Sequence, residues 1–371
     1  MIWVHCGDAG EVAATLSLAT RFLDHNDVLI TAEVDILPAF SNVADGINVV
    51  QIPPDTPAKT RDFLAKWQPQ FLVWNGGPIR SVLLRLVARN KINATLINAR
   101  ISTLFSGGSR WVPGASRNAA TPFSRILTAD GATATRLIRG GVSRDKVTAT
   151  GPILEEPIAL PHDQNELTVL VEALGTRPFW FAADVVPAEV THIATAHLSA
   201  SRKNYRLLLI IAPRDAQSGQ QVADTLREAG LKVGLRSQGD NPMPEQQAYV
   251  ADIEGEFGLW YRIAPLTFMG GTLSAGGAAS PFEPIVLGSA IIHGPRKAPY
   301  EARYRRLADA QACREVRTAG ELGIAVGALI SPEQTARLAM AGWAEITQNA
   351  EITNNLMQDA VTHYENAEGT Q

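Results

Sequence analysis

FMGGTLSAGGAASPFEP, from Phe268 to Pro284, is the stretch on which the predicted fold depends. An apolar run from Trp260 to Met269 leads into a glycine loop (residues 270–277) that begins and ends with a glycine pair, where the missing Cβ lets a ligand approach the backbone. The residues that follow, IVLGSAIIHGP from 285 to 295, predict a helix start and another buried strand. A strand, a glycine-rich loop and a helix N-terminus together are typical of an anion-binding site, because free N–H groups and the positive end of the helix dipole point to one place.

Two interpretations of the glycine loop stay open at the level of the residues. Glycine pairs after a strand often form only a tight turn, so the GGT triplet alone is a weak indication of ligand binding. The complete spacing, GG-x(4)-GG-x(3)-PFEP-x(3)-G-x(5)-GP, is more specific and favours a nucleotide site. Glu283 would repel a phosphate, so we expect its carboxylate to accept hydrogen bonds from a ribose diol.

The composition indicates a soluble α/β enzyme with two domains. The chain of 371 residues exceeds one typical core, and 46% hydrophobic with 19% charged residues argues against disorder. Cys6 and Cys313 lie far apart and match no metal-binding spacing, which favours a reduced, cytoplasmic compartment without a bound metal. We expect neither a signal peptide nor a membrane-spanning helix, because no basic n-region follows Met1 and no run of about 18 apolar residues occurs.

Positive charge is concentrated in one segment, the basic stretch from Arg80 to Arg125. It contains eight Arg or Lys residues and no Asp or Glu. Such a segment is either an ordinary solvated face or a surface that attracts an anionic acceptor or anionic lipid head groups, which would give a peripheral membrane contact. Nucleic acid is not expected as a partner, because the segment matches no known nucleic-acid-binding module.

Apolar segments alternate with helix-like segments along the chain, which predicts βαβ units and parallel sheets, the α/β class. The proline-rich segment Gly151 to Asp163 predicts a linker, so we expect Rossmann-like domains over residues 1–155 and 156–371 that face a cleft. Two final helices are predicted, Ser331 to Gly342 and Ala344 to Glu365, as candidates for packing back on the first domain.

In the first half, two polar motifs fall at the ends of predicted strands, Gly10-Glu11 and Asn98 to Ser102. Glu11 has two interpretations, either a partner for the helix dipole or a general base that takes a proton from an acceptor hydroxyl. Arg100 could hold a carboxylate or a phosphate by a two-pronged contact.

In the second half, the motifs at strand ends are Pro213-Arg214, Gly255-Glu256-Phe257 and the glycine loop. An arginine just past a strand is well placed for a phosphate, although it is often only a surface ion pair. Each motif alone is a weak signal. Their order at the strand ends of two similar halves favours a shared nucleotide-sugar site.

These motifs resemble those of the 3-deoxy-D-manno-octulosonic acid (Kdo) transferases of lipopolysaccharide synthesis over nearly the whole chain. The family's opening IWxHxxSxGE matches Ile2 to Glu11, and its NARxS matches Asn98 to Ser102. Its PRH, DTxGExxxLY and NPLE match Pro213 to Asp215, Asp252 to Tyr261 and Ser280 to Glu283. We expect no counterpart of the family's N-terminal membrane anchor in this chain.

The resemblance implies a GT-B fold and an inverting glycosyltransferase that moves Kdo from CMP-Kdo to a lipid A precursor at the cytoplasmic face of the inner membrane, without a cofactor or bound metal. Glu11 would be the general base. The implied CMP-binding residues are Pro213, Arg214, Gly255, Glu256, Phe257, Ser280, Pro281, Phe282 and Glu283. Candidates for contacts with the donor sugar or the acceptor are Asp8, Gly10, Arg100, Gly270 and Gly271.

The sequence departs from the family pattern near the expected sugar and acceptor contacts. The family's serine before GE is Asp8 here, and we expect this second carboxylate to raise the proton affinity of one of the pair. The position of the family's STHxGEE stretch is occupied here by Ala183 to Glu189. The family's acidic ETELWPN segment is replaced by Trp74 to Pro78, and the HN of its HNPLE motif is Ala279-Ser280 in this chain. CMP binding is therefore expected to be kept while the sugar and acceptor contacts are altered.

Other functions remain open for a sequence with these departures. One is a diverged GT-B paralogue with another donor or acceptor, and another is a non-catalytic protein that binds a membrane or an anionic glycolipid through the basic stretch. A UDP-sugar epimerase of the same fold is less favoured, because its usual nucleotide-loop pattern is not visible.

Overall fold

The computed structural model describes residues 1–23, 27–41, 43–104, 120–155, 159–239, 241–348, 352–356 and 358. The chain divides into two compact units. The first unit contains Met1–Glu156 and Gln348–Gln371, and the second contains Pro157–Thr347. The predicted linker, Gly151 to Asp163, includes residues 156–158, which lie outside the described part.

The first unit is built on a sheet of seven parallel strands in the order β3-β2-β1-β4-β5-β6-β7. The strands are β1 (Ile2–Cys6), β2 (Val28–Ala32), β3 (Ile47–Gln51), β4 (Phe71–Asn75), β5 (Asn93–Ala99), β6 (Arg125–Thr128) and β7 (Val147–Ala149). The strand order reverses between β1 and β4, which pair directly, with Cys6 opposite Asn75. The ends of β1 and β4 therefore form the topological switch point, where open α/β sheets bind ligands.

The helices of the first unit cover both faces of this sheet with apolar side chains. They are α1 (Val12–Leu23), α2 (Pro57–Trp67), α3 (Ser81–Arg89), α4 (Ile101–Leu104) and α5 (Gly131–Arg139). In α3, Leu83, Leu84 and Val87 recur at helical spacing and are buried. The Asp55 carboxylate accepts hydrogen bonds from the N–H groups of Val82 (3.3 Å) and Leu83 (2.8 Å), which satisfies the first turn of α3 from another segment.

The second unit has its own sheet of seven parallel strands, in the order β10-β11-β9-β8-β12-β13-β14. The strands are β8 (Phe179–Val185), β9 (Leu208–Pro213), β10 (Val233–Leu235), β11 (Ala248–Val250), β12 (Leu266–Met269), β13 (Ala290–His293) and β14 (Cys313–Glu315). Here the order reverses between β8 and β12, with Ala183 opposite Met269. The end of β8 and the glycine loop after β12 meet at this second switch point.

Eight helices pack on the second sheet within the described residues. They are α6 (Gln164–Leu174), α7 (Val190–Ser201), α8 (Gly219–Glu228), α9 (Phe257–Ile263), α10 (Phe282–Val286), α11 (Glu301–Asp309), α12 (Ala319–Leu329) and α13 (Pro332–Thr347). Sequence reasoning did not identify α6. The Asp163 carboxylate caps it by accepting from the N–H groups of Asn165 (2.7 Å) and Glu166 (3.1 Å), and the Asp-x-x-Glu pattern before an apolar run was the available signal.

The predicted break between two terminal helices at Gly342 is wrong. The helix α13 continues from Pro332 to Thr347 through this glycine. A Cβ at Gly342 would lie 3.0 Å from Cγ2 of Ile285, so the glycine allows α13 to approach α10 closely instead of ending the helix. Of the predicted helix from Ala344 to Glu365, residues 352–356 are helical, and residues 349–351, 357 and 359–365 lie outside the described part.

Two Rossmann-like parallel sheets in one chain form the GT-B fold, which confirms the fold class that was predicted from the sequence. Among the helices whose residues are described, none is long and apolar enough to cross a bilayer.

Candidate functional site

Glu11 lies at the switch point of the first sheet, in a 3-10 turn (Ala9–Glu11) that connects β1 to α1. The Asp8 carboxylate caps this turn and accepts a hydrogen bond from the Gly10 N–H at 2.9 Å. The turn directs Glu11 inward, so that the residue is only 4% exposed. A buried carboxylate needs partners, because burial disfavours its charge.

Both carboxylate oxygens of Glu11 have a partner. Arg100 Nη1 forms an ion pair with Oε1, and Asn98 Nδ2 donates to Oε2 at 2.6 Å. Both partners come from the end of β5, the motif that resembles NARxS, and Arg100 remains partly exposed. The sequence identified Glu11 and Arg100 as separate candidates, and the structure joins them in one pair.

Asn98 holds this arrangement in place through its backbone and its side chain. Its φ of 51° is in the left-handed region, which asparagine tolerates better than most residues. Its Oδ1 accepts from the Ile153 N–H at 2.7 Å, while Nδ2 lies 2.8 Å from the Ile153 carbonyl oxygen and 2.9 Å from Oδ1 of Asn75. Asn75 in turn donates to Oγ1 of Thr15 at 3.0 Å, so four separate segments fix the surroundings of Glu11. Sequence reasoning assigned no role to either asparagine.

The pKa of Glu11 is raised above its ordinary value, mainly because burial disfavours the charged form. The hydrogen bond and the charge of Arg100 oppose this shift, and the hydrogen bond from Asn98 does so more weakly. The charge of Asp8 raises the pKa further, as expected from the sequence, but burial is the larger cause. Such a carboxylate holds a proton more readily than a solvated one and can take part in proton transfer.

Backbone rather than side chains surrounds one side of Glu11. The loops after β1 and β4 touch directly: a Cβ on Gly77, whose φ is +69°, would lie 2.2 Å from the carbonyl oxygen of Gly7. The neighbouring Gly76 lies against Glu11, where a Cβ would be 3.0 Å from Cγ of Glu11. These glycines replace the acidic segment that the resemblance would place here, and they leave a surface without side chains beside the carboxylate.

In the second unit, Arg214 at the end of β9 forms a two-pronged ion pair with Asp184. The distances are 3.0 Å from Nε to Oδ1 and 2.5 Å from Nη2 to Oδ2. The same guanidinium donates to the carbonyl oxygens of the glycine loop, from Nη1 to Gly276 and from Nη2 to Gly277, the latter at 2.7 Å. Arg214 therefore connects the end of β8 to the glycine loop.

Glu189 holds the start of the glycine loop from inside the second unit. Its fully buried carboxylate accepts hydrogen bonds from the N–H groups of Gly271 (2.6 Å), Leu273 (2.7 Å) and Ser274 (3.0 Å). Loop N–H groups were expected to bind a phosphate, and these three are already occupied. Glu189 matches the last residue of the family's STHxGEE stretch, which was the signal for a role that sequence reasoning missed.

A cavity of about 280 Å³ lies between the end of β9 and the segment before α9. Its lining brings together four of the predicted CMP-binding residues, namely Pro213, Arg214, Gly255 and Phe257. Gln217, Ile253 and Trp260 complete the wall beside them. The volume is near the lower end of small-molecule sites.

Glu256, also predicted to bind CMP, has its carboxylate directed to a different partner. It accepts from Arg236 at 3.1 Å (Nε) and 2.9 Å (Nη2), and Arg236 Nη2 also donates to Glu166 at 2.6 Å. Arg236 is 8% exposed, so a buried guanidinium connects α6, the start of α9 and the segment after β10. The side chain of Glu256 is thus occupied by a structural contact.

The predicted residues Ser280, Pro281, Phe282 and Glu283 lie at the start of α10. Ser280 Oγ accepts from Arg303 Nη1 at 2.7 Å, and the guanidinium carbon of Arg303 lies 5.5 Å from the centre of the Phe282 ring. Burial raises the pKa of Glu283; the charge of Arg303 lowers it, and that of Asp184 raises it. The helix has only five residues, which limits the N-terminal dipole that the sequence had suggested.

Two arginines of the basic stretch are engaged in ion pairs within the described residues. Arg80 pairs with Glu33 and donates to the Pro53 carbonyl oxygen at 2.8 Å, and Arg100 pairs with Glu11. Arg110 and Arg117 lie outside the described part. No group of three or more His, Cys, Asp or Glu side chains that could hold a metal ion occurs among the residues that the structure describes.

Known proteins resemble this chain along most of its length. The family model for 3-deoxy-D-manno-octulosonic-acid transferase (kdotransferase) matches residues 1–154. The enzyme named 3-deoxy-D-manno-octulosonic acid transferase from Haemophilus influenzae is 26% identical, with 96% of this chain and 85% of that protein covered. The transferase of the same name from Bordetella pertussis is also 26% identical, over 79% of this chain and 71% of that protein.

One solved structure similar to the second half is the C-terminal CMP-Kdo binding domain of WaaA from Acinetobacter baumannii. It is 25% identical, with a TM-score of 0.46, and covers 49% of this chain and 96% of that domain. The family-model match and the two transferase relatives agree with the motifs at the two switch points. The chain is therefore similar to the Kdo transferases, a group of glycosyltransferases, along most of its length, and residues 1–154 match their family model.

Proposed function

We propose that this protein is an inverting glycosyltransferase that moves Kdo, or a related acid sugar, from CMP-Kdo to a lipid A precursor in lipopolysaccharide synthesis. It acts in the cytoplasm, peripherally at the inner membrane, and needs no cofactor beyond the donor. The observation on which the proposal depends is the environment of Glu11. This carboxylate is buried at a switch point, is fixed by Asn98 and Arg100, and lies beside a wall of glycine backbone.

In the proposed reaction Glu11 takes the proton from an acceptor hydroxyl. The acceptor oxygen then forms a bond to the anomeric carbon, while the bond between that carbon and the phosphate oxygen breaks and CMP leaves with the electron pair. Attack opposite to the leaving group inverts the anomeric centre. The raised pKa of Glu11 suits this role, because a base with greater proton affinity accepts the proton more readily.

The second unit provides the proposed nucleotide site. The cavity beside Pro213, Arg214, Gly255 and Phe257 supports this assignment, because four separately predicted residues line it together. Glu283, kept partly buried near Arg303, is a hydrogen-bond acceptor for the ribose hydroxyls. Arg214, which lines this cavity, is the proposed partner of the departing phosphate.

Arg100 has a proposed second role toward the acceptor. Its side chain is 36% exposed, although one nitrogen is bound to Glu11. A phosphate on the lipid A precursor can approach its outer side, and guanidinium groups suit phosphate oxygens. Exposed members of the basic stretch, such as Arg85, then attract the anionic membrane surface that presents the acceptor.

Mass spectrometry tests the proposal directly. The protein is incubated with CMP-Kdo and a lipid A precursor, and we expect the precursor to gain the mass of one or more Kdo units while CMP is released. Glu11→Gln serves as the control for catalysis by the protein itself. An unchanged precursor, with CMP-Kdo present and the protein folded, would overturn the assignment of donor and acceptor.

A second candidate function, a glycosyltransferase with another nucleotide donor, is favoured by the departures from the family pattern at Ala183 to Glu189 and at Ala279-Ser280. Equilibrium binding of CMP, UMP and GMP separates the two candidates. Preference for CMP supports the first, and preference for UMP or GMP supports the second.

A further inference from the structure

Asp184 forms an ion pair with Arg214, which lines the cavity of the proposed nucleotide site. It lies near the end of β8, at the switch point of the second sheet, with a left-handed φ of 55°. Its backbone is packed tightly against the glycine loop, since a Cβ on Gly270 would lie 2.5 Å from the Asp184 carbonyl oxygen. In the stretch that corresponds to the family's STHxGEE, Asp184 stands where the pattern has threonine. The chain therefore has a carboxylate of its own at this position.

The ion pair leaves Arg214 little capacity to bind a ligand. A guanidinium group has five N–H donors. Four of them are used here: Nε and one Nη2 hydrogen by Asp184, the second Nη2 hydrogen by Gly277, and one Nη1 hydrogen by Gly276. A phosphate needs two neighbouring donors for a two-pronged contact, so it must displace the Asp184 carboxylate first.

Asp184 also adds negative charge beside Arg214. Burial raises the pKa of Glu283, and the charge of Asp184 raises it further. A phosphate at Arg214 therefore meets the Asp184 carboxylate as well as the arginine. Like charges repel more strongly in a partly buried site than in water.

We propose that Asp184 is a specificity-determining residue that competes with the donor's phosphate for Arg214. The site then binds its nucleotide mainly through the base and the ribose and gains little affinity from the 5′-phosphate. This inference rests on the proposed nucleotide site but not on the identity of the base, because any nucleoside monophosphate would meet the same carboxylate.

Equilibrium binding of CMP and cytidine to the full chain and to Asp184→Asn tests the proposal. Asparagine has nearly the same shape as aspartate and tolerates the left-handed backbone at least as well, so the fold is preserved. We expect CMP and cytidine to bind the unaltered protein within a few-fold of each other. In Asp184→Asn the preference for CMP over cytidine should rise by about tenfold, which corresponds to about 1.4 kcal/mol.

Two further variants make the outcome specific. Asp224→Asn removes an exposed aspartate that pairs with Arg227 on α8, and it should leave the ratio of the two affinities unchanged. Adding Arg214→Gln to Asp184→Asn should abolish the gain. An unchanged or smaller preference for the phosphate in Asp184→Asn, or no nucleotide binding by that variant, overturns the proposal.

The same titrations with UMP, uridine, GMP and guanosine distinguish this proposal from the proposed function. If UMP or GMP binds better than CMP, the assignment of the donor fails. The effect of Asp184→Asn is then measured as the ratio of the affinities for the nucleotide that binds best and for the corresponding nucleoside. Competition for Arg214 is thus supported or rejected whichever base the protein prefers.

Discussion

At the scale of single residues, the candidate site depends on the balance between the neutral and the charged form of one buried carboxylate. Glu11 lies below the surface, where burial favours its neutral form, and Arg100 and Asn98 favour its charged form. Glu11→Gln preserves the side-chain volume and removes the ability to accept a proton. We expect it to keep CMP binding and to lower turnover by about 10²–10⁴-fold, the usual contribution of a general base. Steady-state rates with CMP titrations measure both, and near-normal turnover would remove Glu11 from this role.

The pH dependence of the rate reports on the pair of Glu11 and Arg100. A general base works in its charged form, so the rate rises with pH through the pKa of Glu11. Arg100 lowers that pKa through its hydrogen bond and its charge. Arg100→Gln should therefore raise the pKa of Glu11 and move the acid limb of the pH–rate profile to higher pH.

The matched control for this shift is Arg85→Gln. Arg85 is an exposed arginine of the same basic stretch, on α3, and contacts the Ser81 carbonyl oxygen at 3.2 Å. It should leave the midpoint of the acid limb unchanged. If Arg100→Gln alters only the apparent affinity for the acceptor and not the midpoint, Arg100 binds the acceptor without tuning the base.

Single site residues were predicted from the sequence where a motif identified them. The contacts between those residues were not predicted. Glu11 and Arg100 are 89 positions apart, and Asp184 and Arg214 are 30 apart, so their contacts depend on which strands become neighbours. The sequence pattern places each of these residues at a strand end. It does not determine the order of the strands in the sheet, and that order decides which ends meet.

At the scale of elements, the glycine loop is shaped by a buried acid rather than by its glycines alone. Glu189→Gln tests this. A glutamine amide nitrogen cannot accept hydrogen bonds, so some of the N–H groups of Gly271, Leu273 and Ser274 lose their partner. We expect the free energy of unfolding to fall by about 2 kcal/mol, the scale of a lost hydrogen bond to a charged group. Amide hydrogen exchange of residues 271–274 should become faster.

Glu172→Gln is the control for the glycine loop, because Glu172 is an exposed residue of α6 in the same unit. Chemical denaturation and hydrogen exchange of this variant should match the unaltered protein. If exchange at residues 271–274 in Glu189→Gln is also unchanged, Glu189 does not hold the loop.

Elements were predicted best where burial alone decides them. The strands Ile2–Cys6 and Leu266–Met269 are each a short apolar run that ends at a glycine. Gly342 was misread because a glycine in a helical pattern signals a helix end only if no neighbouring helix requires the space, and Ile285 is such a neighbour. Contacts of that kind join residues that are distant in sequence, so the local sequence does not predict them.

At the scale of the whole molecule, the first unit combines both ends of the chain. Residues 348–371 belong to the same unit as Met1–Glu156, although the second unit separates them in sequence. Leu356 is fully buried in the same apolar cluster as Ile2, Val4 and Phe22. The unit that contains Glu11 therefore depends on side chains from the far end of the chain.

Leu356→Ala should destabilise the first unit selectively. Deleting a buried leucine side chain costs about 2–5 kcal/mol, because transfer free energy is lost and a cavity remains. Hydrogen exchange followed by mass spectrometry should show faster exchange in β1 and β2 while the strands of the second unit keep their protection. Met340→Ala, at a 72% exposed position of α13, is the control and should alter neither unit. Equal loss of protection in both sheets would show that the two units do not unfold separately. Unchanged protection in β1 and β2 would show that Leu356 is dispensable for the core around Ile2 and Phe22.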